Sequence, residues 1–219
     1  MEDKKNLLAN TFTWLFAGLL VTFVVSYFTT IDNDTILSVY GAFNGYSYIV
    51  YIILELALAV ALTAFIRKIN ANVAKILYLL YAALTGLTLS GIFILYTGES
   101  IAYTFLATSA VFGIFAVIGK TTNIDLSKLG IYLFVGLIAI IIAEIINVFI
   151  MSNTLNMLLI VLTIIVFCGY VAYDINRLLK SDFLSEDEDK KSIFYAFQLF
   201  LDFINLFIEL LKLFGKSRD

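Results

Sequence analysis

Five acidic side chains stand inside otherwise apolar runs of this 219-residue chain: Glu55, Glu144, Asp174, Asp202 and Glu209. No basic residue occupies the middle of a run; Arg67 and Arg177 come only at the ends of theirs. An ionised side chain in hydrocarbon costs roughly 2.5–3.5 kcal/mol on insertion scales, so such groups face a cavity or a partner. An excess of embedded acid over embedded base suits two tasks, holding protons and binding cations. Asp174 has Arg177 at i+3, and so reads either as an interfacial acid in an ion pair or as a functional carboxyl. Asp202, Asn205 and Glu209 share one stripe on a 3.6-residue repeat, among Phe, Leu and Ile. That stripe reads as a polar seam lining a pathway, with a satisfied structural acid as the alternative. Glu55 is twelve residues before Arg67, about 18 Å along a helix, so the two do not pair directly. It is a pathway candidate or a hydrogen-bonded structural group. Glu144 reads as reaching toward the outer interface.

The composition removes most other chemistry. There is no histidine, hence no imidazole base, no His-ligated zinc and no histidine pH switch. The one cysteine, Cys168, sits in an apolar run, which excludes disulfide frameworks and four-cysteine metal sites. A net charge of −3 with few basic clusters argues against nucleic acid as a partner. No nucleophile–base pair and no Gly-rich phosphate loop is evident. Intramembrane aspartyl proteolysis would take two helix-borne aspartates, but Asp174 and Asp202 lack the glycine setting of those proteases' motifs. The chain reads as a non-enzyme without a cofactor.

The elements that must carry these acids are membrane spans. Hydrophobic residues make up 62% of the chain and charged residues 14%, against about 45–50% and about 25% in soluble domains. A membrane helix needs about 20 mainly apolar residues. By that ruler seven spans are predicted, near 12–29, 45–66, 76–98, 100–119, 129–150, 155–176 and 193–214, in one membrane domain. Proline is absent, so any break in a helix falls to glycine or polar residues. A charged segment at 180–191, with Asp182, Glu186, Asp187, Glu188 and Asp189, reads as a solvated connection or, less simply, an acidic cation-attracting vestibule.

Orientation follows from lysine and arginine. Eleven of the fourteen cations fall at the amino end or in the second, fourth and sixth loops: Lys4, Lys5, Arg67, Lys68, Lys75, Lys120, Lys128, Arg177, Lys180, Lys190 and Lys191. The amino end is therefore expected in the cytoplasm. Lys212, Lys216 and Arg218 follow the last span and break the rule; the seventh helix either crosses with a basic outer end or folds back.

Three stretches then become recognisable together: Tyr-Ala-Ala-Leu-Thr-Gly-Leu-Thr-Leu-Ser at 81–90, Gly-Tyr-Val-Ala-Tyr-Asp-Ile-Asn-Arg at 169–177, and Leu-Phe-Leu-Asp-Phe-Ile-Asn-Leu-Phe at 199–207. With Thr-Thr-Asn-Ile-Asp-Leu-Ser at 121–127, the chain resembles the Bax inhibitor family, the transmembrane Bax inhibitor motif proteins, in its bacterial branch. The resemblance implies an all-α integral membrane fold of seven transmembrane helices with the last one central. It also implies a pH-sensitive calcium leak in which two aspartates, matching Asp174 and Asp202, share a proton. A second-helix arginine engages one of them, and Arg67 is its nearest match here; Glu55 matches a second-helix glutamate.

The physical logic agrees. Two adjacent carboxylates in low dielectric cannot both ionise cheaply, so the pair keeps one proton. Calcium, a hard cation, takes several oxygens, and Asp174, Asp202 and Asn205 could supply some, with Glu55 and Glu209 along the cation pathway. The reading is a bacterial inner-membrane protein that passes calcium ions under proton control. The alternative is a regulatory membrane protein that modulates a membrane protease or a death-related partner without conducting. A proton-coupled cation exchanger is third.

Overall fold

A computed structural model describes residues 2–41, 46–180 and 187–218. Among the described residues eight helices follow one another: α1 (Glu2–Thr29), α2 (Asn33–Gly41), α3 (Ser47–Phe65), α4 (Ala71–Leu95), α5 (Gly98–Thr121), α6 (Leu129–Ile150), α7 (Asn153–Lys180) and α8 (Glu188–Phe214). Seven of them are long and apolar enough to cross a membrane, and they match the seven predicted spans in order. The chain is an all-α, multi-pass membrane protein. The short α2 is the addition. Its nine residues are too few to span, and no apolar run announces it. Its start is set by Asp32, whose Oδ1 accepts the Thr35 N–H at 2.7 Å, an N-cap that satisfies an orphan donor. Gly45, the predicted start of the second span, and Asp182 and Glu186 of the charged segment lie outside the described residues.

Two compact units divide the chain. The first comprises α1 to α4 and the part of α8 up to Phe200, and the second α5 to α7 and α8 from Leu201 onward. In the first unit, α1 and α4 meet through small residues. Thr22 Oγ1 donates to the Ala82 carbonyl at 2.8 Å and Ser26 Oγ to the Gly86 carbonyl at 2.7 Å. Bonds between neighbouring helices and close backbone approach replace the hydrophobic drive that lipid cannot supply. Gly86 makes the approach feasible, since a Cβ there would lie 2.8 Å from the Thr22 carbonyl oxygen. Tyr78 donates to the Trp14 carbonyl at 3.0 Å, and its ring meets Phe200 edge-on at 5.9 Å. Tyr81 packs edge-on against Phe197 at 5.0 Å. At the start of α4, Lys75 pairs with Asp189 at 2.7 Å, so one acid of the charged segment is a helix-to-helix tie.

In the second unit, α7 lies against α5 and α6. A Cβ on Gly119 of α5 would fall on the Ala172 carbonyl of α7, and one on Gly130 of α6 would sit 2.6 Å from the Tyr173 ring. The α6–α7 turn passes through Met151 in the left-handed region, with φ 54°. It is closed by Asn147, whose carbonyl and side-chain oxygens accept the Met151 and Ser152 N–H groups at 2.7 and 3.1 Å. Phe105 and Phe112 of α5 pack on Phe203 of α8, with centroids 5.3 and 5.6 Å away.

The most and the least apolar spans differ most in burial. The very apolar α6 has 6% of its most hydrophobic stretch buried, whereas α8, with its polar stripe, has 72%. Lipid solvates isoleucine as well as protein does, so the helices that need protein around them are those with polar groups to satisfy.

Candidate functional site

The sixth and seventh spans bring their acids together. Asp174 lies in the last two turns of α7 and Asp202 midway along α8, and both are buried at 5% and 4% exposure. Their side chains stand within hydrogen-bonding reach of each other. Asp202 Oδ2 has no hydrogen-bond partner among the described residues. A hydrogen bond between two carboxyl groups exists only when one carries a proton, because an ionised carboxylate is acceptor-only. Two bare charges about 4 Å apart, at an effective dielectric of about 20, repel by about 4 kcal/mol. Two carboxyl groups so placed are a candidate for holding one proton in common.

Arg177, one turn further along α7, is close enough for its charge to act on Asp174. Its guanidinium lies over the Tyr173 ring at 5.9 Å. Asp174 therefore feels the charge of the i+3 arginine while facing Asp202. Tyr170, one turn before Asp174, has its phenol within electrostatic reach of both acids. Arg67 stands in the turn after α3, in the first unit, beyond the C-cap residue Ile66.

The stripe on α8 divides. Asn205 turns its Nδ2 back onto the Leu201 carbonyl of its own helix at 2.8 Å. Glu209 is buried at 6% exposure and pairs with Lys212 through Oε1 at 2.6 Å, while Oε2 has no partner among the described residues. Lys212 is thus more than a violation of the charge rule: it is the counter-ion of an embedded acid. Its i+3 spacing was the available signal. Glu144, exposed on α6, is near enough for its charge to reach Glu209.

In the first unit, Glu55 finds its partner across the α3–α4 seam. Thr88 Oγ1 donates to Glu55 Oε1 at 2.8 Å. The same hydroxyl is 3.0 Å from the Thr85 carbonyl, so its one proton is shared between two acceptors. Tyr81 is close enough to feel the Glu55 charge. The sequence contains Thr88 in a recognisable stretch but gives no register between α3 and α4, and so no partner. Among the described residues no group of three or more His, Cys, Asp or Glu side chains could hold a metal ion. The two aspartates alone fall short of the 6–8 oxygens that calcium takes.

The chain is similar to known proteins along nearly its whole length. The family model described as "Inhibitor of apoptosis-promoting Bax1" matches residues 4–219. The inner membrane protein YbhL of Escherichia coli is 40% identical over 216 residues, covering 96% of this chain and 92% of YbhL. An uncharacterized protein of Borreliella burgdorferi is 39% identical over 99% of this chain and 94% of its own length. One from Deinococcus radiodurans is 31% identical over 100% and 94%. The family match covers both aspartates, both units and every membrane-crossing helix, and on that ground the chain belongs to the Bax inhibitor family.

Proposed function

We propose that this protein is a pH-sensitive calcium leak in the bacterial inner membrane, gated by the proton that Asp174 and Asp202 share. The observation that carries the reading is the buried carboxyl pair itself, with Asp202 Oδ2 facing no donor among the described residues. Stability alone does not favour such a pair, since a well-packed apolar pair would avoid the desolvation of two acids. Loss of the shared proton leaves two like charges in a low dielectric, which drives the α7 end and α8 apart or draws in a cation. Arg177 offsets part of that charge, and Tyr170 lies beside both acids. Calcium is the transported ion and not a resident ligand. Glu55, Asn205 and Glu209 supply oxygens that a passing cation meets.

The amino end lies in the cytoplasm and the carboxyl end outside, following the charge count. The unbroken α8 supports a crossing over a re-entrant last helix: its 27 residues span about 40 Å at 1.5 Å per residue. Inner-membrane placement rests on the name of the Escherichia coli relative. The deciding measurement is calcium flux into liposomes holding the purified protein, at two pH values. Flux that changes with pH and needs no imposed proton gradient supports the leak; dependence on that gradient would make the protein an exchanger. Absence of flux at either pH would overturn conduction and leave the regulatory alternative.

A further inference from the structure

The nine-residue α2 is too short to cross a membrane, yet it is fixed to its neighbours. Asp32 caps its start, and its last turn is bonded to α3 and α4. The Val39 carbonyl accepts the Tyr51 hydroxyl at 3.0 Å, and the Tyr40 carbonyl accepts the Ser47 hydroxyl at 3.1 Å. The Tyr40 hydroxyl meets that of Ser90 at 2.7 Å. Carbonyls in the last turn of a helix find no partner within it, so these bonds satisfy α2 and hold it as a fixed body.

The residues that hold α2 also set its height. Ser47 opens α3, Ser90 lies in the last two turns of α4, and α2 starts at Asn33, just after α1 ends at Thr29. Each of α1, α3 and α4 is long and apolar enough to cross a membrane, so α2 lies where three crossings begin or end. That level is the boundary between hydrocarbon and water. Tyr27 near the end of α1, and Tyr46 and Tyr48 around the start of α3, are exposed there, as tyrosines at a membrane interface are.

Successive residues of a helix turn by about 100°, which sorts α2 into three sides. Thr35, Ile36, Val39 and Tyr40 form a half-buried side toward the protein, and Asp34, Ser38 and Gly41 are exposed opposite them. Leu37 stands between the two sides at 68% exposure, and Ile31, just before the helix, is exposed as well. An exposed leucine by itself means little; here the ends of crossing helices beside it supply its neighbour. Residues 30–46 contain no lysine or arginine, so inserted apolar side chains, not charge, attach this segment to a bilayer.

We infer that α2 is an interfacial helix whose partner is the lipid surface. It lies along the boundary with Leu37 and Ile31 in the acyl region and with Asp34 and Ser38 toward water. The placement is read without ion flux and does not depend on the leak.

The test uses the full-length protein in phosphatidylcholine liposomes, in a Cys168→Ala background that removes its one, buried thiol. Nitroxide labels are placed singly through Ile31→Cys, Asp34→Cys, Leu37→Cys and Ser38→Cys, all at exposed positions where a label leaves the fold in place. Collisions are measured with oxygen, which concentrates in hydrocarbon, and with a water-soluble nickel chelate. The oxygen-to-nickel ratio is expected to be several-fold higher at Ile31 and Leu37 than at Asp34 and Ser38. A ratio at Leu37 no higher than at Ser38 overturns the inference: nickel prevailing at both puts α2 in water, and oxygen at both sinks it in hydrocarbon. Leu37 shielded from both reagents also overturns it, since protein, such as a second copy of the chain, would then cover that side.

Discussion

Thr88 on α4 donates a 2.8 Å hydrogen bond to Glu55 on α3, and this bond is what makes a carboxylate tolerable in the middle of the second span. The same bond separates two roles for Glu55. If the carboxylate meets passing cations, Glu55→Gln keeps an acceptor for Thr88 but removes the charge. Calcium flux should then fall about tenfold, ~1.4 kcal/mol, with the fold and the pH midpoint unchanged. Thr88→Val removes the 2.8 Å donor of the acid, leaving Thr85 beside it, and should destabilise the protein by about 1–3 kcal/mol, read from thermal unfolding in detergent. Flux at the wild-type level in Glu55→Gln would return Glu55 to a purely structural role.

Asp174 and Asp202 should behave as one titrating unit. Replacing either with Asn ends the sharing of a proton between two carboxyls. Each single variant and the double variant should therefore lose pH-dependent flux to a similar extent, because coupled residues are non-additive. Independent acids would give roughly additive losses and leave a pH response in each single variant. Calcium flux from about pH 5 to 8 on wild type and three variants decides between them. A wild-type pH response in Asp202→Asn would remove the pair as the gate.

Gly119 sets how closely α5 can approach α7. Any side chain there meets the Ala172 carbonyl, two residues before Asp174, and also loosens the support that the Gly119 carbonyl gives Asn176. Gly119→Val should cost about 1–3 kcal/mol, as overpacking does. Gly113 on the same helix has nothing within 4 Å of a built Cβ. Gly113→Val is the control and should unfold close to wild type; equal losses from both variants would mean that valine is merely a poor helix former at either place.

The proposed orientation, amino end inside and carboxyl end on the outer side, is testable with reporter fusions. An alkaline phosphatase fusion after Lys216 should be active in the compartment on the outer side of the membrane, and a fusion in the α5–α6 connection should be inactive. Lys212 weighs little against this orientation, because Glu209 neutralises it at 2.6 Å. Cytoplasmic location of the carboxyl end would mean that α8 does not cross.

The number of spans, their order and the acids within them were legible in the sequence. Hydrocarbon demands about 20 apolar residues per crossing and penalises each charge inside, so composition alone marks both. Asp174 and Asp202 stand out for the same reason, as do Glu55 and Glu209. Their partners were not legible. Thr88 reaches Glu55 only because α3 and α4 meet in one register, and register depends on which small residues let two backbones approach, as Gly86 does against Thr22. Lys212 read as a breach of the charge rule until the ion pair with Glu209 gave it a role. The nine-residue α2 carries no span-length signal, since an Asp32 cap and packing make it rather than apolar length. A sequence states what the bilayer will not tolerate bare. Which neighbour then satisfies each exposed charge is a matter of helix register and side-chain reach, and those exist only once the helices have packed.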